Sequence, residues 1–364
     1  MVSFGFYTDK TGQISVSGQS IQIAEENQTS SGLNVMEKRR ISLIGGDILI
    51  HDKAQFQAPA GNIQLISVGS KGSVALSNDG VQMHDFTRLG EIIISDQSII
   101  DASGTGNQSA SYVYANNQWL PFFQSGKAGK IDINATTIKM DHQSSISTST
   151  SGNGDAGNIS VNANNALLNH ASKITSESLS LFAGGDAGSV EIKQNTSSGS
   201  LNIFNKSSIL TDSISSGGGK ISIYTGQVVL LNSNITTNVM LGNKDTGGQF
   251  GNGGDIKIES QQFALNNSHV TANAIDGDGG AIFIVSDHFI KSTDNIIEAS
   301  SKRGNEGTVE IVAPDMDMDS QITILPTDFL NASKWLKAPC DLRNSQQSSK
   351  LIYRRHVVPS LNQF

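Results

Sequence analysis

Short stretches of the chain alternate apolar and polar residues with a period of two, the pattern of a strand with one buried face. The clearest set opens with glycine: Gly129-Lys130-Ile131-Asp132-Ile133, Gly157-Asn158-Ile159-Ser160-Val161, Gly188-Ser189-Val190-Glu191-Ile192, Gly219-Lys220-Ile221-Ser222-Ile223, Gly254-Asp255-Ile256-Lys257-Ile258, Gly280-Ala281-Ile282-Phe283-Ile284 and Gly307-Thr308-Val309-Glu310-Ile311. Both apolar positions are Ile or Val in every one of these copies. Such β-branched side chains pack well on a pleated surface. A second signature, a large inward residue and then a small one, recurs at Ser145-Ile146-Ser147-Thr148, Lys173-Ile174-Thr175-Ser176, Ser208-Ile209-Leu210-Thr211, Asn234-Ile235-Thr236-Thr237, His269-Val270-Thr271-Ala272 and Ile296-Ile297-Glu298-Ala299. Between the two lies a weaker apolar stretch around Ile138, Leu167-Leu168, Ile203, Val229-Leu230, Phe263 and Phe289-Ile290. Three short strands per repeat is the simplest reading.

Spacing supplies the architecture. From Ile131 to Val309 successive copies start 28, 31, 31, 35, 26 and 27 residues apart, and most of the variation falls at one corner, with 238–253 the longest excursion. Stacked coils behave this way, because insertions loop outward without disturbing the stack. A propeller blade wants about 40–45 residues and four strands, and an antiparallel sandwich gives no reason for one signature to return so often. The expectation is an all-β chain wound as a right-handed parallel β-helix (a solenoid), three short strands per coil, with like residues about 4.8 Å apart. Glycine at the corners is expected to supply positive φ for tight turns.

The first hundred residues carry the signature less regularly, at Gly12-Gln13-Ile14-Ser15-Val16, Gly46-Asp47-Ile48-Leu49-Ile50, Gly61-Asn62-Ile63-Gln64-Leu65, Gly72-Ser73-Val74-Ala75-Leu76 and Gly90-Glu91-Ile92-Ile93-Ile94. The solenoid is therefore expected to run from near the start, over 1–313. A 39-residue step from Ile92 to Ile131 marks an irregular, aromatic-rich insertion near 103–128. Residues 314–340 are expected to form a cap, with a short helix at 328–336, and 341–364 a flexible tail.

Composition agrees with a thin β structure rather than a thick core: 37 glycines and only 6 prolines in 364 residues, with 16% charged residues against roughly 25% in an average domain. A net charge of −8 and the lack of a basic stripe argue against nucleic acid as a partner. No apolar run approaches the roughly 20 residues of a membrane-spanning helix. One cysteine, Cys340, excludes an internal disulfide and a multi-cysteine metal site. The opening Met1-Val2-Ser3-Phe4-Gly5-Phe6 lacks the basic and apolar regions of a signal peptide.

Several segments, taken in order, resemble the large exoproteins of bacterial two-partner secretion, the filamentous-haemagglutinin-like family. They are Ile41-Ser42-Leu43-Ile44-Gly45-Gly46-Asp47-Ile48, Ala58-Pro59-Ala60-Gly61-Asn62-Ile63-Gln64-Leu65, Ile100-Asp101-Ala102-Ser103-Gly104, Asp155-Ala156-Gly157-Asn158-Ile159, and Leu325-Pro326 with Phe329, Asn331-Ala332-Ser333, Cys340 and Arg343. The resemblance implies a non-enzymatic, adhesin-like protein, secreted or held at the outer surface of a Gram-negative-type bacterium. It would be exported through an outer-membrane transporter and bind a host or environmental glycan or protein receptor. The family's amino-terminal secretion domain has no counterpart here, so the chain is expected to be a carboxy-terminal portion or an unexported remnant of a split gene. The tail Arg354-Arg355-His356-Val357-Val358-Pro359 stands where a glycine-rich ending is expected.

Candidate chemistry is sparse, and no cofactor is expected. His142 and His170 are one repeat apart, each four residues before its coil's isoleucine. They could stack and share a metal, but two ligands do not complete a site, and chance register of two exposed histidines is the simpler explanation. Asp315, Asp317 and Asp319 alternate, as a calcium edge or as solvated charges that discourage strand addition. Tyr112, Tyr114, Trp119, Phe122 and Phe123 of the insertion are candidates for stacking on a sugar or docking a protein, or else for covering the flank of the coils. The alternative function is a carbohydrate-cleaving β-helix enzyme. The outward positions Asp132, Ser160, Glu191, Ser222, Lys257, Phe283 and Glu310 offer it no carboxylate pair on adjacent coils.

Overall fold

The computed structural model describes residues 2–18, 32–77, 80–104, 106–115, 118–180, 184–194, 198–241 and 251–314, and for 106–115 and 118–125 the backbone alone. The chain divides into two compact units, Met1–Met316 and Asp317–Phe364, and the described residues all belong to the first. Of the cap expected over 314–340 all but Pro314, together with the acidic triplet Asp315, Asp317 and Asp319 and the tail, lies outside the described residues.

The protein is all-β, with no helix among the described residues. Two long parallel sheets dominate. The larger runs through Ile14–Ser17, Ile48–His51, Glu91–Ile94, Lys130–Met140, Asn158–Leu168, Ser189–Lys193, Lys220–Leu231, Asp255–Asn266, Ala281–Lys291 and Thr308–Val312, in chain order. Arg40–Gly45 and Asn62–Ser67 extend it at one side, and Ser200–Phe204 bridges Asn158–Leu168 to Lys220–Leu231. The second sheet stacks the short strands of the second signature, from Gly32–Asn34 through Gln55–Gln57, Ile99–Asp101 and Ser145–Ser147 up to Ile296–Glu298. From Lys130 onward neighbours are one repeat apart in sequence, and before it they are spaced by excursions such as 68–90, so the sheets are built coil upon coil, as in a solenoid.

The register matches side chain to side chain. Ile63, Ile131, Ile159, Val190, Ile221, Ile256 and Ile282 pair in succession. A parallel column runs from Leu65 through Ile133, Val161, Ile192, Ile223 and Ile258 to Ile284, and both columns are at most 1% exposed. On the facing sheet Phe56, Ile100, Ile146, Ile174, Ile209, Ile235 and Val270 form a third buried column. Each isoleucine thus meets another large apolar side chain along its column, and burial of this apolar area is the main stabilising term. In the last described coil the column loses its cover: Val309 is 44% exposed.

Gly72-Leu76 departs from the expected pattern. Its strand, Gly72–Ser77, lies between Val2–Phe6 and Gly80–His84 in a three-stranded antiparallel sheet. Period-two alternation specifies one buried face and says nothing about the direction of the partner strand, so an antiparallel excursion reads like a coil step. The coil it interrupts closes regardless: Lys130–Met140 pairs through residues 130–134 with Asn62–Ser67 and through 137–140 with Glu91–Ile94. The insertion near 103–128 holds an antiparallel hairpin of Gly106–Ala115 and Gln118–Ser125, whose register shifts between Gly106 and Ala110.

The signature glycines serve another purpose than the one expected. Among described glycines only Gly32 and Gly80 have positive φ. A Cβ at Gly129 would instead overlap the carbonyl oxygen of Gly61, and one at Gly157, Gly188, Gly219, Gly254, Gly280 or Gly307 that of the preceding signature glycine. Glycine is needed there for close approach of one coil's backbone to the next. Left-handed turns fall at a different corner and are made by other residues: Asp52-Lys53, Asp96-Gln97, His142-Gln143, His170-Ala171 and Asn205-Lys206, with φ of 47–67°.

Candidate functional site

The left-handed corner carries the one side-chain cluster with metal-ligand chemistry among the described residues. Stacked turns are tied by backbone bonds: Gln97 N–H donates to the His142 carbonyl, and Gln143 N–H to the His170 carbonyl, both at 2.8 Å. This fixes His142 directly beneath His170. Their rings stack with centroids 5.1 Å apart and planes 25° from parallel. Asp141 joins them: its Oδ1 lies 2.6 Å from His170 Nδ1 and its Oδ2 3.3 Å from His142 Nδ1. The His142 backbone N–H donates to the same carboxylate at 2.9 Å, which holds it in place. Asp96, one coil below, reaches to 4.0 Å from His142 Nδ1. One ligand atom from each of Asp141, His142 and His170 lies within 4.8 Å of the others. Sequence reasoning placed the two histidines in register and missed Asp141; the signal was its position beside His142, one coil from His170.

A second feature follows the glycine column, a groove of about 1180 Å³ floored by glycine backbone and edged by Lys127, Asp155, Asp186 and Asn252. Its acids are held by the backbone of the next coil: Asp186 N–H donates to Asp155 Oδ1 at 3.3 Å and Gly217 N–H to Asp186 Oδ1 at 2.9 Å. Lys127 Nζ sits 2.7 Å from Asp155 Oδ2, and the hydrogen bond and charge of that carboxylate raise the lysine above its ordinary pKa. The hairpin ends at Ser125, two residues before Lys127.

Carboxylates do meet on adjacent coils, at a corner the main outward ladder does not include. Glu177 and Asp212 occupy equivalent places, since Ser178 pairs with Ser213 and Ser178 N–H donates to the Asp212 carbonyl. Asp212 is 5% exposed; burial raises its pKa, opposed by hydrogen bonds from Asn238 N–H at 2.6 Å and Thr236 Oγ1 at 2.8 Å. Glu177 is half-buried and is pushed up to about 7, by burial first and then by the Asp212 charge, with Lys173 opposing. The main outward ladder itself stacks as its sequence spacing implies, Asp132 on Ser160, then Glu191, Ser222, Lys257, Phe283 and Glu310.

Of the aromatic candidates, the hairpin register sets Tyr112 opposite Pro121, Tyr114 opposite Trp119, Ser111 opposite Phe122 and Ala110 opposite Phe123. Among the described residues no helix is long and apolar enough to cross a membrane. No protein-family model matches the chain, and comparisons with curated proteins and with solved structures return no match.

Proposed function

We propose that this chain is the β-helical portion of an adhesin-like exoprotein of the filamentous-haemagglutinin-like type, secreted or held at a bacterial surface, with no enzymatic activity of its own. In this reading the coils wind right-handed with three short strands each. The three pairings of a single coil support that count: residues 130–134 on Asn62–Ser67, 137–140 on Glu91–Ile94, and Ser145–Ser147 on Ile99–Asp101. Export is through an outer-membrane transporter of the two-partner kind. The ligand is a glycan or protein receptor, met where the aromatic hairpin joins the groove along the glycine column.

The observation that carries this reading is the coil-on-coil register, unbroken across excursions such as the hairpin of Gly106–Ala115 and Gln118–Ser125. A rigid stack that tolerates projecting elements is a scaffold for presenting binding surfaces. The test is to screen the chain against immobilised glycans and uronic-acid polymers, beside a variant lacking 106–125. Binding without product, lost in the deletion, supports the proposal; no binding in either would overturn it.

A carbohydrate-cleaving function is the second reading, favoured by the Glu177–Asp212 pair, because a carboxylic acid kept protonated near neutral pH can act as a general acid. Asp212 is sealed by its hydrogen bonds to Thr236 and Asn238, which counts against it as a base or nucleophile. Turnover of any polymer in the same screen, abolished by Glu177→Gln, would establish this reading in place of the first.

A further inference from the structure

We propose that Asp141, His142 and His170 form a site for one divalent transition-metal ion of the zinc type, clasped between two adjacent coils. Two imidazoles with one carboxylate suit zinc, nickel or copper, whereas calcium and magnesium prefer sets of oxygen ligands.

Geometry makes the set usable. The ligand atoms already lie within 4.8 Å of one another, and bonds of about 2.0–2.1 Å to nitrogen require only side-chain rotation to close on a common centre. The backbone is fixed in advance by the stacked left-handed turns, at φ 50° for His142 and 47° for His170. The Asp141 carboxylate sits against both Nδ1 atoms. On ion binding those two nitrogens, deprotonated, and a carboxylate oxygen turn from one another to the metal, so all three residues are direct ligands.

Independently of the cluster, the corner opens onto a recess of about 500 Å³ whose lining includes Asp52, Lys53, Asp96, Gln97, His142 and His170. An ion held there keeps coordination positions open to water or to an oxygen of a bound molecule, with Asp96 close by. Chance register does not account for Asp141, whose carboxylate contacts both imidazoles and the His142 N–H at once. The site stands apart from the adhesin reading and would hold for any function of the scaffold.

The test uses the full chain, titrated calorimetrically with zinc and separately with nickel. His142→Asn with His170→Asn is the informative double variant, because asparagine already occupies the same left-handed corner at Asn205, Asn232 and Asn267, so the turns survive. We expect one zinc per chain, affinity weakened about tenfold or more in the double variant and in Asp141→Asn, and no response to calcium or magnesium. Zinc should raise the melting temperature of the parent protein and leave that of the double variant unchanged. His51→Asn is the control for the other His–Asp contact, His51 Nδ1 to Asp52 Oδ2 at 2.7 Å, and should bind as the parent does. No zinc binding by the parent, unchanged affinity in the double variant, or loss of binding in the His51 control would each overturn the proposal.

Discussion

Gly188 rests against the carbonyl oxygen of Gly157, one coil below, so tightly that a methyl group on Gly188 would overlap it, and the Ser176 hydroxyl closes the space from the side. The same relationship repeats from Gly129 to Gly307. Gly188→Ala must therefore push apart neighbouring coils whose strands are hydrogen-bonded on either side of the contact. A loss of about 1–3 kcal/mol is expected, the range of overpacked cores, measured by urea unfolding. Gly12→Ala, where nothing lies within 4 Å, should unfold like the parent; equal effects at both positions would refute close approach as the reason for glycine.

Ile209 is fully buried in the third column, paired with Ile174 below and Ile235 above. Truncation to alanine opens a cavity between coils that the columns on either side hold open. About 2–5 kcal/mol should be lost. Ile297, in the last complete turn of that column and only partly buried, should cost clearly less on the same change. Thermal melts of the two variants decide the matter, and a larger loss at Ile297 would contradict the burial gradient.

Glu177 links stability to pH. Its pKa rises from 4.5 in the unfolded chain to about 7 in the fold, through burial first and the Asp212 charge second. The folded state thus holds the proton more tightly, and stability falls as pH climbs from the lower value to the upper, staying low above it. Glu177→Gln removes the titrating charge and keeps the shape. Relative to the parent it should gain on the order of 2–3 kcal/mol near pH 8 and nothing near pH 4, read as the pH dependence of the urea midpoint. A gap that does not change with pH would discard the assignment.

Thr211 and Thr237 hide hydroxyl groups that find no hydrogen-bond partner, on successive coils of the second sheet. Replacing either by valine keeps the volume and the β-branch while removing an unsatisfied polar atom. Stability should rise by about 1 kcal/mol, visible as a higher melting temperature; a fall would mean that the hydroxyl is satisfied in solution.

Much of this fold was legible from Gly129 onward, because a stacked coil forces the same residue types into the same column and writes its period into the chain. What escaped had physical causes. The alternation of Gly72-Leu76 is identical for parallel and antiparallel neighbours, and only the pairing with Val2–Phe6 and Gly80–His84 tells them apart. Glycine at a corner permits both positive φ and close approach, and sequence does not say which is used. The meeting of Asp141 with His170, and of Glu177 with Asp212, depends on how a turn of one coil aligns with the next. Glu177 lies in the stretch between the second signature and the next glycine copy, where repeat lengths vary most, and Asp141 lies in a turn of constant length whose left-handed geometry, rather than its spacing, decides what the carboxylate reaches.

The split coil has a consequence for how such a protein can change. Residues 68–90 leave and re-enter between stretches that both pair with Lys130–Met140, so the flanking hydrogen bonds are indifferent to what is spliced between them. Foreign peptides grafted between 115 and 118, the two ends of the hairpin strands, would inherit a prepared platform, and diversity can accumulate at such a port while the staircase beneath stays constant.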